Sequence, residues 1–192
     1  MNEYIKKLTS PTADSALLTD AKSHIKVTGT EEDSLLTVYL NGVVATCENK
    51  LQTAIYNTQF ELHCRSFCQH ISLQKKWVSA INSVKYYDED GAQQTVGSSD
   101  YSLQDFKVPN VLYFNEDYEF PNTDEREFPV TVNFNSGFGS ASAIIPNVRN
   151  AIFLEFADRY ENRQNEVVDD RVQLVMFNTT AETLLAEERL WL

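Results

Sequence analysis

Cysteine, proline and glycine are all scarce here, at three, five and six of 192 residues. No internal repeat or low-complexity tract breaks the sequence. Three cysteines, an odd number, fit a reducing compartment better than a secreted disulfide framework. No run approaches 18 consecutive apolar residues, so no segment reads as a helical membrane span. Met1-Asn2-Glu3-Tyr4-Ile5-Lys6-Lys7 has no apolar core after its lysines, so no secretory signal is expected. Basic residues are also in deficit: 16 Lys and Arg against 28 Asp and Glu give a net charge of −12. That argues against a protein whose main work is gripping nucleic-acid phosphates.

What is present is globular in composition, with 42% hydrophobic and 23% charged residues. A chain of this length buries about 70% of its unfolded surface without a metal or disulfide. The acidity is uneven. Residues 1–96 hold 11 acids and 9 bases, whereas residues 97–192 hold 17 acids and 7 bases.

The N-terminal third reads as helical. Thr19 is the expected N-cap of a short helix through Ile25, ended by Gly29. Thr30-Glu31-Glu32-Asp33 resembles a capping box that opens a longer helix. Leu36, Leu40, Val43, Cys47 and Leu51 recur at helical spacing, and Gly42 among them predicts a close helix crossing. The middle changes period. Phe128, Val130, Val132 and Phe134 alternate with polar residues, as in a half-buried strand. Residues 57–63, 69–73, 79–87, 93–96, 101–106 and 111–114 are further strand segments, with 69–73 expected to pair with 57–63. Asp90-Gly91 predicts a hairpin with positive φ at both central positions. Helix resumes at Pro146, with Val148, Ile152, Phe156 and Tyr160 on one stripe and Glu155–Arg159 at i,i+4 spacing. Residues 164–171 are polar, and a capping box at Thr179–Glu182 starts a last helix. The expected fold is therefore α+β. It is a helical bundle of two N-terminal and two C-terminal helices, with a β-strand insertion between the second and third. As one domain over 1–192, its helical parts are 15–56 and 146–192, and the β-rich insertion is 57–140.

Three stretches, in order, carry a resemblance. The first is Leu18-Thr19-Asp20-Ala21-Lys22-Ser23-His24-Ile25-Lys26-Val27 with Glu31-Glu32-Asp33. The second is Ile71-Ser72-Leu73 with Val84-Lys85-Tyr86-Tyr87-Asp88-Glu89-Asp90-Gly91. The third is Val130-Thr131-Val132-Asn133-Phe134-Asn135-Ser136-Gly137-Phe138-Gly139, then Ile145-Pro146 and a helix ending Arg159-Tyr160-Glu161-Asn162-Arg163. Together with Leu184-Leu185, they resemble the head–tail connector (adaptor, or head-completion) proteins of tailed bacteriophages. Residues 115–127 and Leu190-Trp191-Leu192 fall outside the resemblance, and Gln74-Lys75-Lys76 stands where the family often carries proline.

The resemblance implies a structural virion protein rather than an enzyme. Its subunits form a homo-oligomeric ring, commonly of 12 copies, at the portal vertex. The partners are the portal protein and the next tail-connecting (stopper or tail) protein. DNA passes through the ring without being specifically bound, and assembly takes place in the host cytoplasm. An acidic wall suits a channel through which DNA must slide.

Several groups of residues are weighed as sites. Glu116, Asp117, Glu119, Asp124, Glu125 and Glu127 surround Phe120-Pro121-Asn122. They form either a solvated loop or one facing the channel or a basic partner. Arg159, Arg163 and Arg171 lie among acids and pair within the subunit or across a ring contact. Leu184, Leu185, Leu190 and Trp191 either dock on the portal or a neighbour, with Trp191 as anchor, or fold back onto the bundle. His63, Cys64, Cys68 and His70 are the densest set of metal-ligand types. On a strand, however, His63 and Cys64 point to opposite faces, so neither metal nor cofactor is expected. The rival functions are a small soluble enzyme using these Cys and His residues, or a monomeric protein-binding module. Gly137-Phe138-Gly139 reads as turn geometry rather than a phosphate loop, because the helix begins only at Pro146.

Overall fold

The computed structural model describes residues 3–162 and 179–190. Among them are eight strands and four helices. The strands are β1 (Tyr4–Lys7), β2 (Thr58–Cys64), β3 (His70–Ser72), β4 (Val78–Tyr87), β5 (Gln93–Thr95), β6 (Tyr101–Gln104), β7 (Val111–Phe114) and β8 (Val130–Ser136). The helices are α1 (Ser15–His24), α2 (Asp33–Leu51), α3 (Pro146–Glu161) and α4 (Thr179–Glu188). The chain divides into two compact units. One holds Tyr56–Phe138 with the stretches up to Pro11 and from Leu190. The other holds Thr12–Ile55 and Gly139–Arg189.

This corrects the expected helical bundle with a single strand insertion. The strands build two antiparallel sheets, ordered β1-β2-β8-β4-β5 and β3-β7-β6. Two physical reasons account for the difference. Tyr4–Lys7 has no buried residue, so no local apolar pattern marks it; its place is set by pairing Tyr4 with His63 and Lys7 with Phe60. Residues 70–72 pair with β7 and not with β2, because β2 is already flanked by β1 and β8.

In the sheet unit, β2 and β8 each bury every second residue. Phe60, Leu62 and Cys64 alternate on β2, and Val130, Val132 and Phe134 on β8. Phe60 stacks on Phe134 with ring centroids 5.7 Å apart. The opposite face is joined by amides: Gln59 Nε2 donates to Asn133 Oδ1 at 2.7 Å, and Asn82 Nδ2 to Asn133 and Asn135 Oδ1 at 3.0 and 2.9 Å. The β4–β5 turn falls at the expected place with different geometry. Of its two central residues only Gly91 takes positive φ, at 76°. The Asp88 carboxylate closes the turn by accepting from the Ala92 and Asp90 N–H groups at 2.9 and 3.2 Å.

In the helical unit, α1 starts earlier than its expected cap. Asp14 is the N-cap and accepts from Leu17 N–H at 2.8 Å, while its second oxygen accepts from Ala141 N–H at 2.8 Å. Thr19 lies inside the helix, where its hydroxyl donates back to the Ser15 carbonyl at 2.9 Å. The α2 stripe Leu36, Leu40, Val43, Cys47 and Leu51 is buried as its spacing requires, as are Val148, Ile152 and Phe156 on α3. Lys50 of α2 ties the helices together, with Nζ 2.7 Å from Glu155 of α3 and 3.6 Å from Glu182 of α4.

Candidate functional site

The acidic segment after β7 is neither loose nor uniformly free. Its aromatic residues pack around the fully buried Phe114, although Phe120 stays 38% exposed. Tyr118 stacks on Phe114 at 5.3 Å, and Phe120 meets it edge-on at 5.3 Å and stacks on Phe67 at 5.5 Å. These rings pin the backbone, so the acids between them project outward. Glu116, Asp117, Glu119, Glu125 and Glu127 are exposed. Two of the expected acids are paired: Asp124 accepts from Arg126 Nη2 at 2.6 Å, and Glu127 from Arg65 at 2.9 Å. The Arg126 guanidinium lies 3.4 Å from the Tyr87 ring centroid, a cation–π contact. The Arg126 hydrogen bond holds Asp124 below the usual carboxylate range.

Arg159 is used within the helical unit. Its Nη2 donates to Thr46 Oγ1 at 2.8 Å, while Glu155 is engaged by Lys50, so both members of the i,i+4 pair reach across to α2. Leu185 and Leu190 are each 2% exposed, and Leu184 is half-buried, so the first two are covered by their own chain. Arg163, Arg171, Trp191 and the polar stretch 164–171 lie outside the described residues.

The Cys and His residues do not converge. Among the described residues, no three His, Cys, Asp or Glu side chains are placed to hold one metal ion. His63 lies 3.3 Å from Glu61, and His70 packs on Tyr113 at 4.9 Å. Burial pushes the Cys64 thiol up to about 12, and Cys47 likewise, which leaves both protonated and non-nucleophilic at neutral pH. An open cleft of about 500 Å³ at the start of α3 is lined by residues that include Ser142, Pro146, Arg149 and Phe153, but by no His, Cys or carboxylate. Gly137 takes φ 108°, and a Cβ there would stand 2.3 Å from the Tyr56 carbonyl oxygen. The Gly137-Phe138-Gly139 segment is thus a strand exit pressed against residue 56.

Two exposed apolar features escaped the sequence reading. The β6–β7 tip displays Phe106, 77% exposed, and Val108, 64% exposed. On α2, Val38 is 66% and Leu35 40% exposed, outside the buried stripe. Phe106 looks like the last residue of a strand. The strand stops at Gln104, however, and the carbonyls of Asp105 and Lys107 accept from the side chain of the buried Asn110.

No protein-family model matches the chain, and no curated protein matches it. Solved structures do. A chain in the neck of an empty GTA particle, computed with C6 symmetry, superposes with a TM-score of 0.73 at 20% identity, covering 98% of this chain and 96% of that one. The chain shares the fold of that neck chain. A chain in the virion of a native gene transfer agent (GTA) particle gives 0.73 at 19% identity, with the same coverage. One in the neck of the native particle, computed with C12 symmetry, gives 0.72 at 19% identity, also over 98% and 96% of the two chains. The likeness therefore runs through the helices and both sheets. It accords with the head–tail connector resemblance read from the sequence.

Proposed function

We propose that the chain is a structural subunit of a particle neck. It assembles as a ring at the head–tail junction, with the portal protein on one side and a tail-connecting protein on the other, and the ring extends the DNA channel. The observation that carries this reading is the end-to-end fold likeness to neck chains, which covers 98% of this chain and 96% of the neck chain. The C12 symmetry of one of those necks supports a ring of 12 copies. The outward acids at 116–119 and 125–127 suit either a channel wall that does not retain DNA or a basic partner surface. The dispersed Cys and His residues and the protonated thiols favour assembly over catalysis.

Electron cryo-microscopy of tailed particles that contain the chain tests the proposal. The expected result is a single ring of this chain between capsid and tail. Finding the chain in isolated copies, in a two-fold dimer, or elsewhere in the particle would overturn it.

A further inference from the structure

The tip Asp105–Pro109 is held ready. Asn110, 3% exposed, donates through Nδ2 to the carbonyls of Asp105 at 2.8 Å and Lys107 at 3.0 Å. Its Oδ1 accepts from Val78 N–H at 2.9 Å, and its backbone joins Lys75 and Leu73, each at 2.9 Å. A loop ordered in advance loses little entropy when it binds, so two apolar side chains on it make an efficient anchor. The second feature is a patch on helix α2 centred on the exposed Leu35 and Val38. From Ser34 to Cys47 the helix carries no charged residue, in a chain that is 23% charged. The exposed Glu31 precedes Leu35 by four residues, and Lys107 sits between Phe106 and Val108.

We infer that the tip of one copy seats on the α2 face of a second copy, with Phe106 and Val108 packed on Leu35 and Val38 and Lys107 facing Glu31. The inference rests on the ring reading above. Copies with a net charge of −12 repel one another, so a contact between them belongs where charge is absent or opposite. The α2 face meets that condition from Ser34 to Cys47, and at the tip Lys107 offsets the exposed Asp105. Because protrusion and patch are different surfaces, the contact is heterologous, and repeating it links each copy to two neighbours, as a closed ring requires.

The test uses the full chain in assembled particles. In the double variant Val38→Cys/Val108→Cys, oxidation is expected to give a ladder of trimers and larger species on a non-reducing gel. The variants are made in a Cys68→Ser background, because Cys68 is half-buried whereas Cys47 and Cys64 are buried, and neither single variant should then give the ladder. Phe106→Ser is expected to lower incorporation about tenfold or more, with the melting temperature of the free chain within ~2 °C of the parent because the residue is exposed. Three results overturn the contact: an intact ring without the ladder, cross-linked dimers alone, or loss of the ring in Phe106→Ser with no cross-link in the double variant. A particle with no ring of this chain overturns the neck reading and the contact together, which separates the two failures.

Discussion

The guanidinium of Arg159 lies over Gly42: a Cβ on residue 42 would stand 2.8 Å from Nη1. Gly42 thus leaves room for a side chain of α3 that crosses α2 and bonds Thr46. Gly42→Ala brings about 1 kcal/mol of helix propensity but pushes the guanidinium aside. In an Arg159→Ala background the same change is expected to stabilise by the full ~1 kcal/mol, and in the parent by less than half of that. Urea unfolding of the four proteins measures the coupling, and strict additivity would contradict the contact.

Gly137 allows no such relief. Its φ of 108° is strained for any L side chain, at a cost of roughly 1–3 kcal/mol, and the atom in the way is the Tyr56 backbone. Gly137→Ala should lower Tm by several degrees, at about 2–4 °C per kcal/mol for a chain of this size. Gly139, with nothing within 4 Å of its Cβ position, is the control expected to change little.

Asp88 and Asp124 both lie below the ordinary aspartate range, Asp88 through bonds from Gln94 and the Ala92 amide, Asp124 through Arg126. A depressed carboxylate contributes stability that is fully present above its unfolded pKa of about 3.9. That contribution is lost as pH falls through the lower folded value. Carboxyl NMR titration should find both midpoints below the aspartate norm, and Arg126→Ala should raise that of Asp124 while leaving Asp88 in place. An unmoved Asp124 would refute the assigned cause.

Leu190 is expected to act in folding rather than docking. At 2% exposure, its replacement by Ala should cost about 2–4 kcal/mol and lower Tm by roughly 5–12 °C. Calorimetry of Leu190→Ala decides this; a melting point equal to the parent's would return the residue to the list of surface anchors.

The elements that announced themselves were those whose own residues carry the period. Phe134 and Val132 mark β8, Leu36 to Leu51 mark α2, and Pro146 marks the start of α3. What stayed hidden depends on distant partners. β1 exists only because β2 offers an edge, and Asp14 wins the α1 cap over Thr19 while also binding residue 141. In the same way, the outward acids at 116–119 were legible as charge, while the aromatic packing that fixes them was not. The exposure of Phe106 could not be read, because it follows from bonds made by Asn110 rather than from the hydrophobicity of the segment.

The sheet order β1-β2-β8-β4-β5 also sets a timetable for synthesis. The strand that lies between β2 and β4 is the last of the five to leave the ribosome. At about 5–20 residues per second, the ~70 residues between β2 and the end of β8 take roughly 4–14 s. Throughout that interval the edge of β2 that β8 will cover stands open, joined by that of β4 once β4 is made, with Phe60 and Leu62 unburied by their eventual neighbour. A nascent chain of this kind is exposed to pairing with other nascent chains on the same message, so its yield should depend on translation speed and chaperone supply more than on the stability of the finished fold.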